Sequence, residues 1–160
     1  MMRFPRVLAL LSRAVWRLPA RSRLRRALIR RAVISGWEAA NRGDFDVALA
    51  LYHPEIETIF DPKMVEIGFE PAYRNRESRL AVQQRATAEW GEWRFEPEQL
   101  LVIGVDRFLT LGRMNGRGLV SGAAVDTDWA ALFTIFNGQV VREQIFLDRG
   151  EALEVVGLKQ

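Results

Sequence analysis

Cysteine is absent from the 160-residue chain, and histidine occurs once, at His53. The first absence removes disulfide frameworks, thiolate zinc sites and cysteine nucleophiles. The second removes any multi-histidine metal site, and no cofactor is implied. Cytoplasmic residence, with peripheral attachment to a membrane as an option, is compatible with the absence of cysteine and is the expectation, although many exported proteins also lack cysteine. Long apolar runs are missing too: no stretch approaches the roughly 20 apolar residues that a membrane span requires. A signal peptide is a poor reading, because the run Val7 to Leu11 is short, Arg13 and Arg17 interrupt the apolar pattern after it, and no small-residue cleavage site is evident. Finally, acid is missing from residues 1–31, which hold ten arginines and therefore carry +10, whereas the remainder carries −7. The basic character belongs to an N-terminal arm and not to the chain as a whole, which argues against a nucleic-acid-binding fold.

What is present is ordinary for one soluble domain: 49% hydrophobic and 27% charged residues, enough to bury a core without staples. In the arm, at 100° per residue, Arg3, Arg6, Arg13 and Arg17 fall on one side, while Val7, Leu8, Leu11, Ala14, Val15 and Leu18 spread over the other. This is an amphipathic helix that Pro19 ends, and a second helix starts near Ser22 and runs through Leu24, Leu28, Val33 and Trp37. Three roles are open to it: packing on its own domain or on a second copy, attachment to an anionic membrane surface, or attraction to nucleic acid. Trp16 is its one interleaved aromatic, and no nucleic-acid motif accompanies it, so nucleic acid is the weakest of the three.

Beyond the arm, taken as 1–31, residues 32–160 read as one α+β domain with helical pattern first and strand pattern later. A helix ends near Asn41 to Gly43. Asp44 caps a short helix carrying Phe45, Ala48, Leu51 and Tyr52, which His53-Pro54 closes. A strand over Glu55 to Phe60 ends at Asp61-Pro62, and Asn75 caps a helix that reaches Trp90 and stops at Gly91. Strands come next within Arg94 to Val105 and over Arg107 to Met114, Ala124 to Phe136 and Val140 to Leu147. Asn115-Gly116 and Asn137-Gly138 mark connections, the second being the stronger hairpin signal. Asp148, with Glu151 three residues on, opens a last helix that Gly157 stops. A curved antiparallel sheet half covered by helices is the consistent outcome.

Ala40 to Phe45 (ANRGDF), Leu51 to Glu57 (LYHPEIE), Phe136 to Arg142 (FNGQVVR) and Phe146 to Glu154 (FLDRGEALE) with Gly157-Leu158 carry a family likeness. So do Trp93 to Gln99 and Gly118 to Gly122. Over roughly residues 30–158 the chain resembles the SnoaL-like branch of the nuclear transport factor 2 superfamily. That resemblance implies a cone with an apolar pocket, a small apolar or aromatic ligand, and often a homodimer through the outer face of the sheet. The superfamily includes ketosteroid isomerase and polyketide cyclases as well as hydrolases and noncatalytic modules, so fold alone does not transfer an activity. Two functions are compatible with it: a cofactor-independent proton-transfer enzyme, or a noncatalytic ligand-binding or dimerisation module localised by its basic arm.

Six residues are the candidates for a site. Asp61 ends its strand in an Asp-Pro that resembles the isomerase's proton-transferring aspartate, and an apolar mouth would raise its pKa and make it a base. An Asp before Pro at a strand end is equally a turn residue. The isomerase's oxyanion donors find no match, since Gly36 or Trp37 and Ala131 or Leu132 occupy the corresponding places. Glu143 interrupts an apolar row of Val141, Ile145 and Leu147 in the last strand. It is a candidate buried acid, with Arg113 an obvious partner. Arg113 itself is placed to bind an anionic group or to neutralise Glu143. Trp37, Tyr73 and Trp129 are candidates to shape a ligand pocket, although aromatics at such spacing are more often core. Asp126 and Asp128 read as solvated strand entry, and His53 as a local hydrogen bonder.

Overall fold

In the computed structural model, which describes residues 4–91 and 93–158, the chain breaks where its sequence removes hydrogen-bonding capacity. Helix α1 (Phe4–Arg17) stops before Pro19, and Ser22 caps α2 (Arg23–Asn41) by accepting from the Arg25 N–H at 3.2 Å. The division expected at Arg31 therefore falls inside one uninterrupted helix. Arg3 of the arm's basic face lies outside the described residues. Asp44 caps α3 (Phe45–Ala48), and strand β1 (Tyr52–Ile59) leads through α4 (Pro62–Glu66) and β2 (Ala72–Arg74) to α5 (Arg76–Trp90), which Asn75 caps at the Ser78 N–H. Strands β3 (Arg94–Ile103), β4 (Arg107–Arg117), β5 (Ala124–Phe136) and β6 (Gln139–Phe146) precede α6 (Arg149–Val155), which Asp148 caps.

The six strands form one sheet in the order β2-β1-β6-β5-β4-β3. It is antiparallel except where β1 runs parallel to β6. This is the one departure from the all-antiparallel expectation, and it arises because β1 enters from the helices and not from a hairpin. β1 also begins earlier than expected: Tyr52, His53 and Pro54 are in the strand, not at a helix end. The register between β1 and β6 slips between Tyr52 and Glu57, and this irregularity accommodates a proline that cannot donate to a ladder.

The two Asn-Gly pairs behave differently. Asn137 and Gly138 both take positive φ, 50° and 80°, as a two-residue hairpin requires. Asn115-Gly116 instead continues β4 opposite Val125 and Asp126, and a side chain at Gly116 would meet the Trp93 ring. The real β4–β5 turn spans Gly118 to Ala123, closed by the Gly118 N–H on the Ala123 carbonyl at 2.9 Å.

Both faces of the sheet are covered, which is why β5 reads as a nearly continuous apolar run. Trp129, Ala131, Phe133 and Ile135 point to the helix-covered inner face, and Ala130 and Leu132 pack with Leu109, Leu111 and Phe146 under Ala152 of α6. The arm belongs to the inner layer. Trp16 stacks on Phe108 at 6.2 Å, and the Arg25 guanidinium lies 4.8 Å over Trp16 while donating to the Val105 carbonyl at 2.7 Å. The backbone of α1 at Ala9 and Arg13 lies directly on Gly138, where a Cβ would collide with it.

Candidate functional site

Helix α5 presents Arg79, Val82, Gln83 and Ala86 at i, i+3, i+4 and i+7, so one cation and one amide sit in the stripe that meets the sheet. Across from it, β6 carries Glu143, paired in register with Thr58 of β1. Glu143 is fully buried and its carboxylate accepts four hydrogen bonds: from Arg79 Nε at 2.7 Å, Arg79 Nη2 at 3.3 Å, Tyr52 Oη at 3.0 Å and Thr58 Oγ1 at 3.1 Å. Arg79 Nη1 donates to Gln83 Oε1 at 2.9 Å. Burial alone would lower the Arg79 pKa, but the Glu143 charge and hydrogen bonds override it and hold the guanidinium above its ordinary value. Burial, then the adjacent Glu143 charge, pushes the Tyr52 phenol well above its usual range. The cluster is thus a fixed ion pair with a neutral phenol. A guanidinium has five N–H donors, and the three bonds made here leave two for another partner.

Arg79, Gln83 and Tyr52 form the polar end of a cavity of about 270 Å³. Its remaining wall is almost wholly apolar: Leu8, Val15 and Trp16 from α1, Ile29, Val33 and Trp37 from α2, and Phe108, Phe133 and Val140 from the sheet. Among the described residues no carboxylate and no histidine lines it. On the far side of Arg79 and Gln83 only about 20 Å³ remains, between Phe60, Phe69, Phe95 and Trp129. The cone's interior is filled by aromatics, and the open volume lies between the sheet and the two N-terminal helices.

The six sequence candidates separate accordingly. Trp37 lines the large cavity, packed edge-on against Trp129 at 4.5 Å. Trp129, 2% exposed, borders only the small void. Tyr73 packs on Phe60 and accepts from the Glu70 N–H at 2.9 Å, away from both spaces. Arg113 does not meet Glu143: it sits on the other face of the sheet and pairs with Asp126 at 2.7 Å and Asp128 at 3.3 Å. These two acids, read from sequence as merely solvated, are its partners, and the hydrogen bond to Asp126 raises the Arg113 pKa. Asp61 is buried, but neither cavity includes it. Its Oδ1 accepts from the Lys63 N–H and its Oδ2 from the Leu147 N–H, both at 2.9 Å, so it caps α4 and ties it to the end of β6. Glu143 lies one layer behind the wall, beneath Tyr52 and Arg79. Its row also differs from simple alternation: Thr134 pairs with Arg142 but Ile135 with Val140, so Val141 is an extra residue and Val140 takes the inward place. His53 accepts from the Glu55 N–H at 3.2 Å through Nδ1, a local bond.

Sequence reasoning missed Arg79 and Gln83. A signal existed, because an arginine in the apolar stripe of a helix, opposite a strand carrying one inward acid, is where a buried carboxylate finds its counter-ion. The same reasoning allowed for the arm packing on its own domain but did not foresee that the arm walls a cavity.

Comparison with known proteins agrees with this architecture. Three solved structures illustrate it. One is a nuclear transport factor 2-like protein of unknown function from Burkholderia pseudomallei, with a TM-score of 0.66, 19% identity, and 79% of this chain and 95% of that one covered. Another is TerC, co-crystallised with polyporic acid, at 0.65 and 18%, covering 79% and 96%. The third is a putative polyketide cyclase from Xanthomonas campestris pv. campestris, at 0.63 and 18%, covering 78% and 93%. No protein of curated function matches the chain in sequence. The SnoaL-like domain model matches residues 33–143, from the middle of α2 to the buried glutamate, and the chain belongs to that family.

Proposed function

We propose that this chain binds an apolar small molecule in the cavity beneath α1 and α2, with one hydrogen-bond-accepting group of the ligand seated on Arg79 and Gln83. The observation that carries this is the make-up of the wall: an apolar space of about 270 Å³ whose charged lining, among the described residues, is a single arginine, held from behind by Glu143 and retaining unused donors. Pockets of this kind bind through apolar area and use a few placed polar groups for orientation. Trp37 is part of the wall, whereas Tyr73, Arg113 and Trp129 stand off it. The TerC complex with polyporic acid supports the reading in that a protein of this fold accepts a small organic acid.

Binding is favoured over proton transfer for a geometric reason. A general base must reach the proton that it abstracts. Asp61 spends both oxygens on backbone N–H groups, and Glu143 accepts four donors behind the wall. In this reading Glu143 positions Arg79, and Asp61 fixes the end of β6.

The test fills the space without touching the ion pair. Gly36 lines the cavity in mid-helix, and a Cβ there meets nothing closer than the Ala48 carbonyl at 4.0 Å. Gly36→Leu should keep or raise thermal stability, since glycine in a helix interior costs about 1 kcal/mol. It should also abolish the saturable binding of 1-anilinonaphthalene-8-sulfonate, an apolar probe with one anionic group. Equal binding by Gly36→Leu and the native chain would place the ligand elsewhere and overturn the reading.

A further inference from the structure

The inner side of α1 is used up by the cavity and by Gly138, yet its outer side is not wholly polar. Val7, Leu10 and Leu11 are 52%, 64% and 61% exposed, and across the seam Leu24 and Leu28 of α2 are 60% and 38% exposed. Leu11 and Leu28 also line the cavity, so its mouth opens within this apolar strip, between the two helices. Helical spacing sets the exposed Arg17 on the α1 face that carries Leu10 and the exposed Arg31 on the α2 face that carries Leu24 and Leu28, with exposed Arg21 in the connection between the helices; Arg23, Arg26 and Arg30 are exposed on the other flank of α2. No acid occurs before Glu38, and among the described residues none of these arginines makes an ion pair. No described helix is long and apolar enough to cross a membrane.

We propose that the α1–α2 face docks on an anionic lipid bilayer, and that the cavity exchanges its ligand with the bilayer through the docked mouth. An apolar strip flanked by cations fits the boundary between acyl chains and anionic headgroups, where the leucines leave water while the guanidinium groups stay at phosphate depth. A second copy of this chain fits poorly, because it would set one uncompensated arginine cluster against another. Nucleic acid would engage the arginines but leave the leucines in water. The docking half stands on the exposed surface alone; the exchange half rests on the ligand-binding reading.

The experiment is co-sedimentation of the full chain with vesicles of phosphatidylcholine alone or mixed with phosphatidylglycerol. The chain should pellet with the anionic vesicles, weaken in high salt as screening removes the arginine contribution, and retain a residue that salt does not remove. Leu10→Ser with Leu24→Ser, neither of which lines the cavity, should lower partitioning roughly tenfold or more at every salt concentration, because each leucine gives up its apolar burial. Arg17→Gln with Arg31→Gln should weaken binding at low salt only. Circular dichroism and melting temperature establish that the variants are folded. A chain that stays in the supernatant with anionic vesicles overturns docking. So does a leucine variant that pellets like the native chain, or a dimer in sedimentation that the leucine variant dissolves. For exchange, transfer of a lipophilic fluorophore from vesicle to protein should slow in the leucine variant, and unchanged rates overturn that half. Gly36→Leu separates the two claims: it should pellet normally yet take up no fluorophore. If it takes up fluorophore as the native chain does, the cavity reading fails while docking stands.

Discussion

Replacing Arg79 by methionine keeps much of the side chain's length and apolar stem but removes its charge. Glu143 would then be a carboxylate with no exposure and two of its four donors gone, leaving only the Tyr52 and Thr58 hydroxyls. Removing one partner of a buried ion pair costs about 3–5 kcal/mol, mostly because the other charge stays behind uncompensated. A domain has on the order of 5–15 kcal/mol of stability in all. For a chain of this size the loss corresponds to a fall of roughly 6–20 °C in melting temperature. The matching single change, Glu143→Gln, keeps an acceptor for the hydroxyls and strands the cation instead. The double variant carries neither charge, so it should recover about 2 kcal/mol relative to the sum of the two singles. Urea unfolding followed by tryptophan fluorescence gives all four corners of the cycle. Additivity within about 0.5 kcal/mol, or a loss below about 1 kcal/mol for Arg79→Met, would refute the claim that the pair is coupled in a dry interior. The same variant removes the only cation that the described residues place on the cavity wall. At a temperature where it remains folded it should therefore lose affinity for an anionic apolar probe more than for a neutral one of similar size.

Asp61→Asn replaces one acceptor oxygen by an amide that faces a backbone N–H, and should cost about 1–3 kcal/mol in urea unfolding; no loss would show that its bonds to Lys63 and Leu147 carry no weight. Gly138→Ala drives a methyl group into the α1 backbone at a position of positive φ, so proteolysis within residues 4–17 should accelerate while the sheet persists. Unchanged proteolysis would mean that α1 is not seated on the β5–β6 hairpin. Tyr52 has its pKa raised by burial and then by the Glu143 charge, so its contribution to stability is complete below about pH 10 and is lost as the pH climbs toward the raised value, where the unfolded chain releases a proton that the folded chain keeps. Alkaline melts should therefore fall more steeply for the native chain than for Tyr52→Phe. Parallel curves would count against burial of the phenol.

The sequence by itself determined most of the local architecture, because caps, breakers and strand alternation act over a few residues. Ser22, Asp44, Asn75 and Asp148 start helices where their short polar side chains reach orphan N–H groups, Pro19 and Gly91 end them, and Asn137-Gly138 turns the last hairpin. It also set a basic arm apart from an acidic remainder and marked Glu143 as an inward acid. Only the tertiary structure decided which charges meet. Arg79 reaches Glu143 from 64 residues away, and Arg113 turns instead to Asp126 on the opposite face, since strand periodicity gives a face but not the element packed on it. One extra residue at Val141 exchanged the inward place to Val140, a slip that alternation cannot register. The cavity was hidden for the same reason: α1 and α2 are contiguous in sequence, but the space beneath them exists only because Trp16, Arg25 and Gly138 bring the arm down onto strands about 80 residues or more further along the chain.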